Sequence, residues 1–123
     1  MNKSKKIVVG FFITSVIILG VLLFFYVQKQ NEVILFYGDG CPHCEIVENF
    51  IDNNKINEKV TIIRLEIWNN TENRQKLETV IKICKMNQNE TGIPLAYTGG
   101  KCYMGDSPVI NMLKIKSGVD SKI

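Results

Sequence analysis

The chain has 123 residues, 46% of them hydrophobic, with 15 Lys+Arg against 12 Asp+Glu. Four of the lysines, Lys3, Lys5, Lys6 and Lys29, flank one apolar segment, so the remainder carries 11 basic and 12 acidic side chains and sits near −1. A chain with no basic face to neutralise phosphates gives no reason to expect a nucleic-acid partner.

Ile7 to Val27 contains no charge, Asn, Gln or Pro. Its 21 residues are long enough to cross a hydrocarbon core as a helix, at about 1.5 Å per residue. Three lysines precede it and only Lys29 follows closely, which predicts a cytoplasmic N-terminus and an exported C-terminal part. A cleaved signal peptide is the alternative, but its apolar region would be shorter and end in small residues. Here the run ends in Phe24-Phe25-Tyr26-Val27-Gln28. The expected organisation is a cytoplasmic tail (1–6), a single-pass cell-membrane anchor (7–27), a polar link (28–31) and one extracytoplasmic domain (32–123). That domain is near the low end of what one core stabilises.

Glu32 to Tyr37 (EVILFY) is a short apolar run ended by Gly38-Asp39-Gly40, the pattern of a buried central strand. A helix begins at Pro42, with Cys44, Val47, Phe50 and Ile51 on one face. Val60 to Ile67 is a second strand, with Ile63, Leu65 and Ile67 sharing a face. Asn69-Asn70-Thr71-Glu72 caps a helix running to about Met86, whose apolar face is Leu77, Val80, Ile81 and Cys84. Leu95 to Thr98, Gly99-Gly100 and Lys101 to Met104 form a hairpin. Ser107-Pro108 offers a cap and first-turn proline for a last helix, with Val109, Ile110 and Leu113 inward. The order β-α-β-α-β-β-α predicts an α/β domain: a four-stranded mixed sheet with helices on its faces.

All four cysteines, Cys41, Cys44, Cys84 and Cys102, fall in the predicted exported part, where disulfides persist. Spacing alone leaves three pairings open. Cys41 falls where the first strand hands over to the first helix, so its sulfur meets unpaired backbone N–H groups and the positive end of the helix dipole. Both stabilise a thiolate. Pro42 fits the first helical turn, where its missing N–H costs nothing. His43, when protonated, adds positive charge. Cys44, one turn on, can resolve a mixed disulfide formed at an exposed Cys41. A zinc site needs a second close Cys/His pair, but Cys84 and Cys102 are 18 apart and His43 is the single histidine. A c-type haem site needs His after the second cysteine, where Glu45 stands. No metal site is expected. A purely structural Cys41–Cys44 bridge closes too short a loop to add much stability.

Strand, Cys41-Pro42-His43-Cys44, helix and a later Gly92-Ile93-Pro94 opening a hairpin together resemble the thioredoxin superfamily over about Val33 to Lys116. The resemblance implies a thioredoxin-like fold, a cis Pro94 facing the cysteine pair, and Ile93 backbone groups that bind a substrate chain. The dipeptide Pro42-His43 looks like that of the bacterial periplasmic disulfide oxidases, although the domain is too short for their inserted helical subdomain. Thr91-Gly92-Ile93-Pro94, Gly99-Gly100-Lys101 and Gly105-Asp106 look like the glutaredoxin pattern, which implies glutathione near Pro94, Gly105 and Asp106. Gly105 and Asp106 have an equally good reading as turn and cap. Thioredoxins and the disulfide oxidases usually carry a buried acid six residues before the first cysteine. Leu35 stands there, so proton transfer at Cys44 is left to water, Glu66 or another route. Cys84 and Cys102 are expected to meet at one corner of the sheet as a structural disulfide, with two buried free thiols as the alternative.

The expected activity is thiol–disulfide exchange with cysteines of exported proteins, with no metal or organic cofactor and an unidentified redox partner, by a monomer. A glutathione-dependent glutaredoxin-like reductase, with glutathione as co-substrate, and a non-catalytic binding module of the same fold are the alternatives. Direction of electron flow is left open.

Overall fold

The structure, a computed structural model, describes residues 2–119. The chain divides after Gln30 into two compact units.

The first unit is a single helix, α1 (Lys3–Gln30, 28 residues). Its span from Lys3 to Gln28 is long and apolar enough to cross a membrane. The apolar side chains, Phe11 and Phe12 among them, lie on every side and are exposed within it. An all-round apolar helix has no polar face to turn to water. The helix extends beyond the expected span at both ends, starting at Lys3 and continuing through Gln30, with only Asn31 before the first strand. Lys and Gln are good helix formers, so nothing in Gln28–Gln30 interrupts the hydrogen-bond ladder once it is running.

The second unit contains β1 (Glu32–Tyr37), α2 (Pro42–Asn53), β2 (Thr61–Glu66), α3 (Thr71–Ile83), β3 (Leu95–Thr98), β4 (Lys101–Met104) and α4 (Asp106–Ser117), with short 3-10 turns at Ile56–Glu58 and Gln88–Glu90. The sheet order is β2-β1-β3-β4. β1 and β2 are parallel, as a βαβ crossover requires. β1–β3 and β3–β4 are antiparallel.

Alternation along the two central strands builds two cores. Val33, Leu35 and Ala96 point to one face, where Val47 and Ile51 of α2 and Val109, Met112 and Leu113 of α4 cover them. Phe36 and Leu95 point to the other, under Leu77, Val80 and Ile81 of α3. Fully burying one such side chain stabilises by about 1.5–3 kcal/mol, and β1 contributes to both faces, which explains its nearly unbroken apolar run. Ile63, grouped with Leu65 and Ile67 by its spacing, is 39% exposed, on a strand at the edge of the sheet.

Two helix ends differ from expectation. α3 stops at Ile83 rather than near Met86. Lys85 turns left-handed (φ +53°), its N–H donates to Lys82 O at 3.1 Å, and Met86 N–H donates to Ile81 O at 3.0 Å. That is a Schellman termination built on a lysine rather than a glycine. α4 starts at Asp106 with Gly105 as its cap, two residues before the expected Ser107 cap. Pro108 is therefore third in the helix, where its missing N–H is still one of the unpaired donors of the first turn.

Candidate functional site

The turn Gly38–Cys41 joins β1 to α2, closed by Cys41 N–H donating to Gly38 O at 3.2 Å. Gly40 has φ +76°, which side chains disfavour. Cys41 (φ −78°, ψ 116°) is the cap of α2, and Pro42 occupies the first helical position. The Cys41 Sγ accepts from Cys44 N–H at 3.3 Å, in the geometry by which Ser or Asp usually caps a helix. Cys41 and Cys44 are disulfide-bonded, with Cα atoms 5.2 Å apart. Cys41 was expected to be exposed. It is 6% exposed and Cys44 4% exposed, with the two sulfurs bonded to each other. Leu35 lies in the core beneath α2 and α4, so the usual acid position holds an aliphatic side chain.

His43 is largely exposed, and its Nδ1 donates to Asp106 Oδ2 at 2.8 Å. The Asp106 carboxyl is held below the usual carboxylate range, first by this bond and then by Ser107 N–H, while burial opposes them. Gly105 (φ +94°) donates its N–H to Pro94 O at 2.8 Å. The Ile93–Pro94 peptide is cis. Pro94 is buried and Ile93 half-buried. Phe36 pairs with Leu95, so Pro94 comes level with the end of β1, from which the cysteine turn departs. The structure thus brings Cys41, Pro42, His43 and Cys44 together with Ile93, Pro94, Gly105 and Asp106. Gly105 and Asp106 serve here as turn and cap, with the Gly105 N–H and the Asp106 carboxylate engaged within the domain. Cys84 and Cys102 are disulfide-bonded apart from this cluster, with Cα atoms 6.1 Å apart, joining the end of α3 to β4.

The cysteine turn has two further neighbours, Trp68, which the sequence reading did not single out, and Glu66. Trp68, 51% exposed, lies against Gly38, where any Cβ would overlap the indole. Glu66 accepts from Trp68 N–H at 2.8 Å and from Asn69 N–H at 2.9 Å. Burial raises the Glu66 pKa, but the backbone N–H groups of Asn69, Trp68 and Asp39 more than offset this and hold the carboxyl below its ordinary range. A carboxylate held this way ties the β2–α3 loop to the cysteine turn. The glycines of Gly38-Asp39-Gly40 read only as a strand stop. The one tryptophan of the chain, just past the second strand, was the available signal for a partner.

The strand order, the capping cysteine of a Cys-x-x-Cys pair and the cis-proline beside it make this a thioredoxin-like fold with a four-stranded mixed sheet. No family model and no curated protein matches the chain. Among solved structures it is similar to oxidized glutaredoxin 2 from Chlamydomonas reinhardtii, at 19% identity and TM-score 0.46, covering 76% of this chain and 91% of that one. It is similar to buckwheat glutaredoxin in its glutathione complex, at 16% identity and TM-score 0.47, covering 76% and 78%. It is also similar to oxidised thioredoxin from Plasmodium falciparum, at 19% identity and TM-score 0.46, covering 76% and 89%.

Proposed function

We propose that this chain is a membrane-anchored thiol–disulfide oxidoreductase that exchanges disulfides with cysteines of exported proteins. The reading rests on one observation above all. Cys41 caps α2 with its sulfur accepting a backbone N–H, and Cys44 is bonded to it one turn on. The cap and the helix dipole stabilise a Cys41 thiolate, which makes it both a populated nucleophile at neutral pH and a good leaving group.

In the reducing direction the Cys41 thiolate attacks one sulfur of a substrate disulfide. The substrate S–S bond breaks, a Cys41–substrate S–S bond forms, and the other substrate sulfur leaves as a thiolate. Cys44 loses its proton to water and attacks Cys41 Sγ, expelling the substrate thiolate and closing the Cys41–Cys44 bond. Two electrons pass to the substrate, and oxidation is the reverse. Pro42 and His43 tune the pair, and the backbone at Ile93 and Pro94 lines up the substrate chain. The cycle uses no metal or organic cofactor, and a separate redox partner resets the pair. α1 anchors the monomer in the cell membrane with its N-terminus cytoplasmic.

The test is insulin reduction by the full chain in detergent micelles, followed as turbidity. Acceleration that Cys41→Ser removes is expected. No acceleration by the intact protein would overturn the reading in favour of a non-catalytic binding module.

A further inference from the structure

Cys84 and Cys102 stand apart from the site above, and their surroundings are not those of a sealed bridge. Both are only half-buried. They line an open groove of about 460 Å³ with Met86, Lys101 and Met104, and that lining carries a cation and no carboxylate. Lys82 and Lys85, both exposed, flank Cys84 along the chain. A groove of this charge favours an anionic visitor. Cys84 closes the C-terminus of α3, where the negative end of the dipole disfavours a thiolate. Cys102 is adjacent to Lys101 on β4.

We propose that Cys84–Cys102 is a second exchange site, for a small anionic thiol of the glutathione class. The thiolate attacks Cys84 Sγ, the Cys84–Cys102 bond breaks, and Cys102 leaves as a thiolate into the groove that Lys101 also lines. A second small thiol attacks the mixed disulfide. It releases the symmetrical small disulfide and leaves Cys84 reduced. Two electrons pass from two small thiols to the pair, and their two protons end on Cys84 and Cys102. The bridge spans the segment that carries Gly92, Ile93 and Pro94, and Gly92 N–H also reaches Met104 Sδ on β4 at 3.1 Å. Opening the bridge frees the end of α3 from β4 and loosens that segment.

The test uses the full chain carrying Cys41→Ser and Cys44→Ser, in detergent micelles without denaturant, so that it does not depend on the activity proposed above. Reduced glutathione and neutral 2-mercaptoethanol are the probes. Samples are quenched by alkylation and mapped by mass. The pair should open in the native protein, with trapped glutathione on Cys84. Lys101→Glu, an exposed substitution, should slow glutathione about two- to fivefold relative to 2-mercaptoethanol. Hydrogen exchange over residues 86–94 should quicken when the bridge opens. The proposal is overturned if the pair resists both thiols until denaturant is added, if glutathione is trapped on Cys102, if Lys101→Glu leaves the ratio of the two rates unchanged, or if exchange over 86–94 does not change. The wild-type chain, mapped pair by pair in the same way, gives the same reading if the double variant does not fold.

Discussion

His43 Nδ1 lies 2.8 Å from Asp106 Oδ2, joining the first turn of α2 to the first turn of α4 across 63 residues of chain. The contact ties the cysteine turn to the corner that follows Pro94. When the imidazole is protonated it is an ion pair, and the field of His43 at Cys41 is then that of a partly neutralised charge.

His43→Ala therefore removes less than a bare positive charge. The side chain is 69% exposed, so the low end of a helix-terminus charge effect applies, about 0.3–1 kcal/mol. At about 30 mV per 1.4 kcal/mol for a two-electron couple, the Cys41–Cys44 potential should fall by at most about 20 mV. The Cys41 thiol pKa should rise with it. Equilibration against glutathione redox buffers measures the first and thiolate absorbance the second. A potential that does not move, or that rises, would remove His43 from the tuning of the pair.

Asp106 makes stability depend on pH in acid. Its folded pKa is lowered from 3.8, by the His43 bond first. A depressed carboxyl contributes stability that is fully present above the unfolded pKa and lost as pH falls through the folded value. Asp106→Asn should accordingly lower the urea midpoint at pH 5–7, with the gap from wild type closing below about pH 4. A gap that stays constant from pH 3 to 7 would show that the ionised carboxylate contributes nothing.

Gly38 is required by Trp68. An alanine there overlaps the indole and must push it off the turn. Overpacking of this kind typically costs about 1–3 kcal/mol. Gly38→Ala should destabilise the domain and shift the emission of its one tryptophan, and the same change should cost much less in a Trp68→Ala background. Equal costs in both backgrounds would show that the ring is not what excludes a side chain.

Lys85 ends α3 in a left-handed conformation that costs an L-residue about 1–2 kcal/mol. Glycine adopts it freely but gives back part of the gain through the greater freedom of the unfolded chain. Lys85→Gly should leave a net gain of about 0.5–1 kcal/mol. For a domain of this size that raises the thermal midpoint by about 2–8 °C. A lowered midpoint would show that the Lys85 side chain contributes more than its backbone strain costs.

What the sequence by itself determined was local and periodic. The apolar run of α1, the two-sided strand Glu32–Tyr37, the Asn70 cap and the Gly99-Gly100 hairpin each encode their structure within a few residues, so hydrophobic period and turn chemistry suffice to read them. The same holds for Cys41 at the helix start, because strand, glycines, proline and cysteine spacing all lie within residues 32–44. Tertiary structure decided what depends on two distant segments meeting. His43 and Asp106 each stood out in the sequence, but their bond to each other exists only because α2 and α4 pack on the same face of the sheet. Trp68 acquires a role only because the parallel pairing of β1 with β2 sets their C-terminal loops side by side. The same pairing lets Glu66 tie the two loops together through backbone N–H groups that lie on both. Helix ends fall between the two cases. α4 could begin at Asp106 or Ser107 on propensity alone, and the choice went to Gly105 because its N–H meets Pro94 O across the chain reversal, a contact that no local pattern encodes.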